Sequence, residues 1–335
     1  MAAPPKGLIE TPPRGPAADD LLSEVLRTIR LSGSLQFCVV ASGAWQTDDK
    51  PSLARLGGGA RVVPFHIVAE GACWLKLEGR TVDLAAGDIV AFPFGTGHVL
   101  GSGSGGTVVN PTSDLPPKPW RDIPLLRYGS GKPGLRLLCG YLTCDAINFA
   151  PLRSALPSLL HARTRTAGEG DWLKATVRQI VAEADNPRTG SRSLLERLTE
   201  ITFIELLRHR ISEAEPGAGG WLAALADPAL GRALALIHED PARGWTVPAL
   251  AKAAGLSRSS LAERFEAMLA TSPMRYLRDW RLYLASAALA TTSRPIAVIA
   301  EEAGYGTEAA FNRAFSKTYG MPPSKWRQAA RARGS

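Results

Sequence analysis

Cysteine is scarce in this chain: Cys38, Cys73, Cys139 and Cys144 are the only four among 335 residues. Four thiols spread over that length do not make a disulfide scaffold, so the fold must rest on buried apolar side chains. Also missing is any apolar run of the roughly 18–20 residues that a membrane-spanning helix requires, which excludes a helical span. The N-terminus has no apolar stretch of the secretory kind, since Leu8 and Ile9 stand alone among Pro4, Pro5, Pro12, Pro13 and Pro16. Cytoplasmic residence, with no membrane partner, is the expectation. Acidic residues are outnumbered, 31 against 39 Lys and Arg, for a net charge of +8. A positive balance of that size admits nucleic acid as a partner without requiring it. What is present in quantity is ordinary globular material, 45% hydrophobic and 21% charged, and the length predicts two domains.

The texture of the chain changes along its course. Residues 1–17 read as a disordered tail, and Leu21, Leu22, Val25, Leu26 and Ile29 are spaced for one face of a short helix over Asp19–Arg30. From about residue 18 to 150 the chain is predicted to be a β domain. Its β-prone runs are Leu35–Ala41, Arg61–Ala69, Cys73–Leu77, Asp88–Phe94 and Leu135–Thr143, separated by Gly, Pro and Asp as in an all-β barrel or sandwich. Gly101–Gly106 and the proline-rich Asp114–Pro124 read as loops. Residues 151–222 are expected to be a helical connector, in which Leu194, Leu198, Ile201, Ile204, Leu207 and Ile211 form one apolar stripe. That stripe fits either packing against the β domain or a dimer contact. Glu215–Gly220 is the best linker candidate.

Residues 226–335 hold 15 Lys and Arg against 9 Asp and Glu, so +6 of the +8 is concentrated there. Within this segment one pattern occurs twice. Thr246 can cap a helix with Pro248 at its second position and Leu250, Ala251 and Ala254 inside; Gly255 stops it, Leu256 fills the turn, and Ser257 caps a helix with Leu261, Phe265 and Met268 inside. About fifty residues later Ile296, Ile299 and Ala300 face inward, Gly304 breaks the helix, Tyr305 fills the turn, and Thr307 caps a helix carrying Phe311 and Phe315. Each is the helix-turn-helix arrangement. Pro273–Ala290 reads as one long connecting helix that can hold the two recognition helices near the spacing of successive major grooves, about 34 Å.

These residues carry a resemblance. Gly304-Tyr305, Phe311, Arg313, Phe315, Gly320, Pro322-Pro323, Trp326 and Arg327, with Gly255-Leu256-Ser257, Leu261, Phe265, Pro273, Tyr276-Leu277 and Arg281 upstream, resemble the DNA-binding signature of the AraC/XylS transcription regulators. The resemblance covers about 100 residues. It implies two recognition helices reading adjacent major grooves of promoter DNA, with RNA polymerase as a partner, a homodimer, and an effector of unknown identity. Base reading then falls to Arg258, Ser259, Ala262 and Glu263 in the first helix and to Glu308, Ala309, Asn312 and Arg313 in the second, after Thr307. Asn and Arg have the geometry for purine edges, and a carboxylate such as Glu263 can accept from cytosine N4. Arg264, Lys317 and Lys325 are placed to hold phosphates. Glu263 departs from the family pattern, which has an arginine there.

In the β domain, Gly87–His98 resembles the second cupin motif, a strand, turn and strand ending in a histidine. The first motif is poorly kept: its usual ligand positions fall on Pro64 and on Gly58–Ala60, none of which can ligate. The usual metal triad is absent, which argues against the alternative of a metal-dependent cupin enzyme with a DNA-binding appendage. Four other side chains, Cys38, His66, His98 and Cys139, lie on strands whose alternation permits all of them to face one barrel interior. Two thiolates and two imidazoles are a set for zinc or another transition metal; close thiols could instead sense an oxidant, and buried Cys and His can equally be plain core or line an organic-ligand pocket. A subgroup of cupin-containing AraC regulators that includes a sensor of reactive chlorine species has matching motifs at these four positions. Cys73 and Cys144 read as structural.

The expected fold is therefore multidomain α+β: a cupin-like β-barrel, a helical connector and an all-α double helix-turn-helix domain. The expected protein is not an enzyme but a DNA-binding transcription regulator whose β domain senses a small molecule, metal or oxidant.

Overall fold

Val62-Val63-Pro64-Phe65-His66-Ile67-Val68 is rich in β-branched and aromatic residues, and it opens the longest strand of the computed structural model, β3 (Val62–Leu77). The structure describes residues 31–48, 62–120, 122–144, 149–163, 170–212 and 220–334. The expected tail, the Asp19–Arg30 helix, Gly58–Ala60 and residues 215–219 of the linker candidate lie outside the described residues.

The first half of β3 pairs antiparallel with β9 (Leu135–Cys144) and β5 (Asp88–Ala91), its second half with β4 (Arg80–Ala85) and β6 (Val99–Ser102). On the far side of β9 lies β1 (Leu31–Ala41), which in turn takes β8 (Leu125–Tyr128) in parallel. The short β2 (Trp45–Thr47) joins β6 to β7 (Thr107–Val109). Just beyond β7, Asn110 caps a single helical turn, α1 (Pro111–Asp114). A tenth strand, β10 (Leu160–Arg163), pairs with β5. It falls in the stretch after residue 150 that reads as uniformly helical. Four residues are too few for a period of two to declare itself, so only the pairing with β5 reveals the strand. The loop expected at Gly101–Gly106 likewise begins inside β6.

Register divides this sheet into two faces. Phe37 lies opposite Cys139 and Val39 opposite Leu137, and these side chains join Val68, Leu75, Leu84, Val90, Phe92 and Leu100 in the barrel interior. Cys38 lies opposite Leu138, and with Phe65, Ile67, Ile89 and Leu142 it faces the opposite way. That outer face is covered by α3 (Gly170–Asp185) and α4 (Ser191–Ser212), which bury Ile180, Leu195, Phe203, Leu206 and Leu207 against it. The apolar stripe expected on α4 is only part of this contact. Leu207 is buried, Leu198, Ile201, Ile204 and Ile211 are half-buried and Leu194 is exposed, because Leu195, Thr199, Thr202 and Phe203 form the side that meets the sheet.

The core on the outer face does not stop at the β domain. It continues through Phe149 at the start of α2 (Ala150–Ala155) into α5 (Trp221–Ala226), α6 (Pro228–Glu239), α7 (Val247–Ala254), α8 (Arg258–Leu269) and the first half of α9 (Pro273–Thr291). The second half of α9 supplies Leu282, Ala285 and Leu289 to a separate core with α10 (Ile296–Glu302), α11 (Glu308–Tyr319) and α12 (Pro323–Gly334). At 1.5 Å per residue, the 19 residues of α9 span about 28 Å. No helix among the described residues is long and apolar enough to cross a membrane.

Candidate nucleic-acid interface and barrel-interior site

The caps expected from the sequence of the helical domain are in place. The hydroxyl of Thr246 accepts from the Ala249 N–H, Ser257 from the Ser260 N–H, and Thr307 from the Ala310 N–H, each satisfying an otherwise orphaned donor at a helix start. Gly255 and Gly304 both take the left-handed conformation, with φ of +73° and +76°, and each is followed by a hydrogen bond back over the turn, from Leu256 N–H to Ala251 O and from Tyr305 N–H to Ala300 O. The two units are a duplication. Up to the turn glycine, counterparts stand 49 positions apart (Leu250 and Ile299, Ala254 and Ala303, Gly255 and Gly304). Beyond it they stand 50 apart (Ser257 and Thr307, Leu261 and Phe311, Phe265 and Phe315), because Gly306 lengthens the second turn by one residue.

The second helix of each unit turns its apolar residues inward and its expected reading residues outward. Leu261 and Phe265 of α8, and Phe311 and Phe315 of α11, are fully buried. Arg258, Ser259, Ala262 and Glu263 are exposed on α8; Glu308, Ala309, Arg313 and Lys317 are exposed on α11, with Asn312 half-buried beside them and Lys325 exposed on α12. Arg264 Nη1 donates to Asp227 Oδ2 at 2.7 Å, and Asp227 is also the cap of α6, accepting from the N–H groups of Ala229 and Leu230. The arginine thus ties α8 to α6.

In the barrel, three of the four expected chemistry-bearing side chains meet and the fourth does not. Cys139 and His66 are cross-strand partners, and their Sγ and Nδ1 are 3.1 Å apart. His66 Nε2 is 2.8 Å from His98 Nε2, and His98 Nδ1 is 2.9 Å from the carbonyl of Thr96. The Phe92 ring stacks on His98 at 3.7 Å and meets His66 edge-on. Cys38 is on the other face of the sheet, where its sulfur accepts from Arg136 Nε at 3.5 Å. The four-ligand set is therefore not assembled. Alternation allowed it, but the pairing places Cys139 opposite Phe37 and not opposite Cys38. Neither do the remaining three form a cage, since the two nitrogens of His66 point to different partners. Among the described residues no group of three or more His, Cys, Asp or Glu is placed to hold a metal ion.

The proton positions along this line follow from its end. A carbonyl only accepts, so His98 carries its proton on Nδ1. Burial holds both imidazoles below their ordinary pKa, His66 well below with His98 adding to the effect, so both rings are neutral. His98 Nε2 then accepts from His66 Nε2–H, and His66 Nδ1 accepts from the thiol of Cys139. Burial pushes the Cys139 thiol well above its usual range, with Cys38 and Cys73 adding to the effect, in keeping with a protonated donor. Cys139 is buried, whereas His66 and His98 are half-buried, so the line runs from the interior outward. Cys73 and Cys144 are buried.

Two groups of residues outside these expectations join the parts of the molecule. Phe149 stands edge-on to Trp221, Tyr276 and Trp280 with ring centroids 6.2, 5.5 and 5.1 Å away, so an aromatic side chain leaving the β domain lies inside the first helix-turn-helix core. At the centre of that box Trp221 Nε1–H donates to the Tyr276 hydroxyl at 2.7 Å, and that hydroxyl donates to His238 Nε2 at 2.7 Å. Arg136 of β9 forms a two-pronged pair with Asp185 at the end of α3, and this pairing holds the Asp185 carboxyl below its usual pKa. A lone Phe and a lone Arg in a strand carry no sequence signal of such distant partners.

Comparison with known proteins agrees with this geometry. A family described as Cupin matches residues 20–212, and one described as Helix-turn-helix domain matches residues 250–329. A putative AraC-like transcription regulator of Streptomyces antibioticus is 33% identical over 319 residues, covering 92% of this chain and 98% of that protein. The HTH-type transcriptional regulator AlkR of Acinetobacter baylyi is 29% identical, covering 92% of this chain and 99% of its own length. The RCS-specific HTH-type transcriptional activator RclR of Escherichia coli is 25% identical, covering 93% and 98%. With a cupin domain ahead of a duplicated helix-turn-helix unit, and relatives matched nearly end to end, the chain belongs to the AraC family of DNA-binding transcription regulators.

Proposed function

We propose that this regulator acts in the cytoplasm on promoter DNA through the exposed faces of α8 and α11, and that it takes its signal at the line Cys139–His66–His98. Arg258, Ser259, Ala262 and Glu263, and Glu308, Ala309, Asn312 and Arg313, are the reading residues; Lys317 and Lys325 hold phosphates. The half-exposed side of α4 with Leu194, Ile201 and Ile204 is the contact of a homodimer, and RNA polymerase is the partner at the promoter. The chain is a regulator without turnover chemistry of its own: in β3, Pro64 stands where the cupin pattern has a ligand, and a proline side chain has no donor atom to offer a metal.

One observation carries the sensing assignment. An ordered run of thiol, imidazole and imidazole occupies an interior whose other side chains are mostly Val, Leu and Phe, with Trp45 and the Cys73 thiol among them. Its hydrogen bonds all point one way, from Cys139 toward Thr96. Hypochlorite would convert the thiol to a sulfenic acid and leave as chloride, and the added oxygen stands between Sγ and the His66 ring 3.1 Å away, so it displaces His66 and, through His98, the 92–98 segment. The relative named as an RCS-specific activator supports the oxidant version of this reading. The test is a promoter reporter in cells carrying Cys139→Ser, exposed to hypochlorite. The response is expected to be lost while promoter binding by the untreated protein is kept. A full response from Cys139→Ser would overturn the assignment.

A further inference from the structure

The two helix-turn-helix units share a second duplicated device, and in one of its copies the device has additional partners. In the first unit Arg232, on α6, lies against the turn glycine: its Nη1 is 3.3 Å from where a Cβ on Gly255 would be, and it donates to Ala254 O at 3.4 Å. The counterpart 49 positions on is Arg281 of α9, whose guanidinium lies against Gly304. A Cβ there would stand 2.7 Å from Nη1 and 2.8 Å from Cζ. In both copies the arginine precedes its glycine by 23 positions.

Arg281 has acquired partners that Arg232 lacks. Its Nε donates to Pro241 O at 2.6 Å, and its Nη2 donates to Arg243 O at 2.9 Å and Ala242 O at 3.4 Å. Those three successive carbonyls belong to the loop between α6 and α7, inside the first unit. The loop is itself held in shape. Trp245 N–H donates to Arg243 O at 2.6 Å, Trp245 Nε1–H to Asp240 O at 3.0 Å, and the Arg243 guanidinium covers the Trp245 ring at 4.2 Å. One half-buried side chain therefore touches a built loop of the first unit on one side and the turn of the second unit on the other. The units have separate hydrophobic cores, so apart from the α9 backbone this guanidinium is a direct tie between them.

We infer that Arg281 is a positioning residue for DNA recognition: by bridging the carbonyls of Pro241, Ala242 and Arg243 to the turn at Gly304, it sets the angle and distance between α8 and α11, and so the spacing of half-sites that the chain accepts. This rests on α8 and α11 being the recognition helices. Two rigidly held modules gain over one only where both can engage at once, so a fixed bridge converts spacing into specificity.

The test uses the full chain and duplexes that the wild-type protein selects from a random-sequence library. Each selected duplex is compared with versions carrying one or two extra base pairs between its half-sites, and with a single half-site. Wild type is expected to prefer its selected spacing by about ten-fold over the lengthened duplexes. Arg281→Gln is expected to reduce that preference to about three-fold or less, with half-site affinity within about two-fold of wild type. Arg281→Lys, which keeps the charge but not the fork, is expected to fall between. Arg232→Gln, lacking the bridging partners, is expected to keep the wild-type ratio. An Arg281→Gln protein with an undiminished spacing preference overturns the proposal. So does one that loses half-site and full-site affinity to the same extent, because that is the mark of a general loss of structure. Failure of the wild-type chain to select a two-part sequence overturns the recognition-helix assignment instead.

Discussion

His238 offers a quantitative check of the interface between the β domain and the first helix-turn-helix unit. It lies in the aromatic box around Phe149, with its ring 4.0 Å from that of Trp280, and burial lowers its pKa from 6.5 to about 3. An unfolded chain binds a proton at this position below pH 6.5 while the folded chain refuses it until far lower pH. The unfolded state then holds more protons, so stability is complete above that value and declines as pH falls toward the folded pKa. The slope is about 1.4 kcal/mol per pH unit, which makes the deficit at pH 5 roughly 2 kcal/mol. His66 and His98 are also lowered and contribute slopes of the same sign. The informative quantity is therefore the difference between wild type and His238→Gln, whose amide oxygen can still accept from the Tyr276 hydroxyl. Urea unfolding followed by tryptophan fluorescence between about pH 7.5 and pH 5 measures it, since Trp221 and Trp280 line the same box. Wild type is expected to lose about 2 kcal/mol more than the variant over this range. Parallel curves for the two proteins would show that His238 is not held neutral by burial, and the reasoning would fail.

Other consequences can be measured as directly. Arg313→Ala is expected to weaken specific DNA binding by about 1–3 kcal/mol and to relax preference at one base position, which footprinting and competition binding read. Phe149→Ala, emptying the centre of the shared core, is expected to cost about 3–5 kcal/mol in the transition that unfolds the β domain with the first helix-turn-helix unit, and Phe149→Leu distinctly less. Thr307→Ala removes the cap of α11 and is expected to lower stability by about 1 kcal/mol in thermal melts. Raising salt from about 50 to 200 mM is expected to weaken DNA binding steeply, and an affinity indifferent to salt would contradict phosphate contacts by Lys317 and Lys325.

The helix-turn-helix units were legible because their signals are local. Thr246, Ser257 and Thr307 cap within three residues of themselves, and Gly255 and Gly304 take a backbone conformation that glycine adopts at little cost, so a short stretch of sequence contains both cause and effect. The barrel interior was legible only by halves. Strand alternation put His66 and Cys139 on plausible faces, but whether Cys38 joined them depended on which residue of β1 sits opposite Cys139. That register passes through an irregularity between Leu35 and Phe37 that no local pattern announces. Strand β10 was invisible for a related reason, because its four residues acquire their identity from β5. The box around Phe149 and the bridge at Arg281 join residues that are far apart along the chain, and they emerge only when the helices are packed.

The division of the hydrophobic core has a consequence for how the molecule comes apart. The β domain, α3, α4 and the first helix-turn-helix unit share one continuous apolar cluster, so they should open together, as one cooperative unit. The unit formed by α10, α11 and α12 is outside it, with a small cluster of its own. Its amides should exchange with solvent at a lower free energy than the rest, and DNA should protect them most. The half of the operator read by α11 would then act as a fastening for the least durable part of the protein, while the half read by α8 meets a surface already anchored to the sensor.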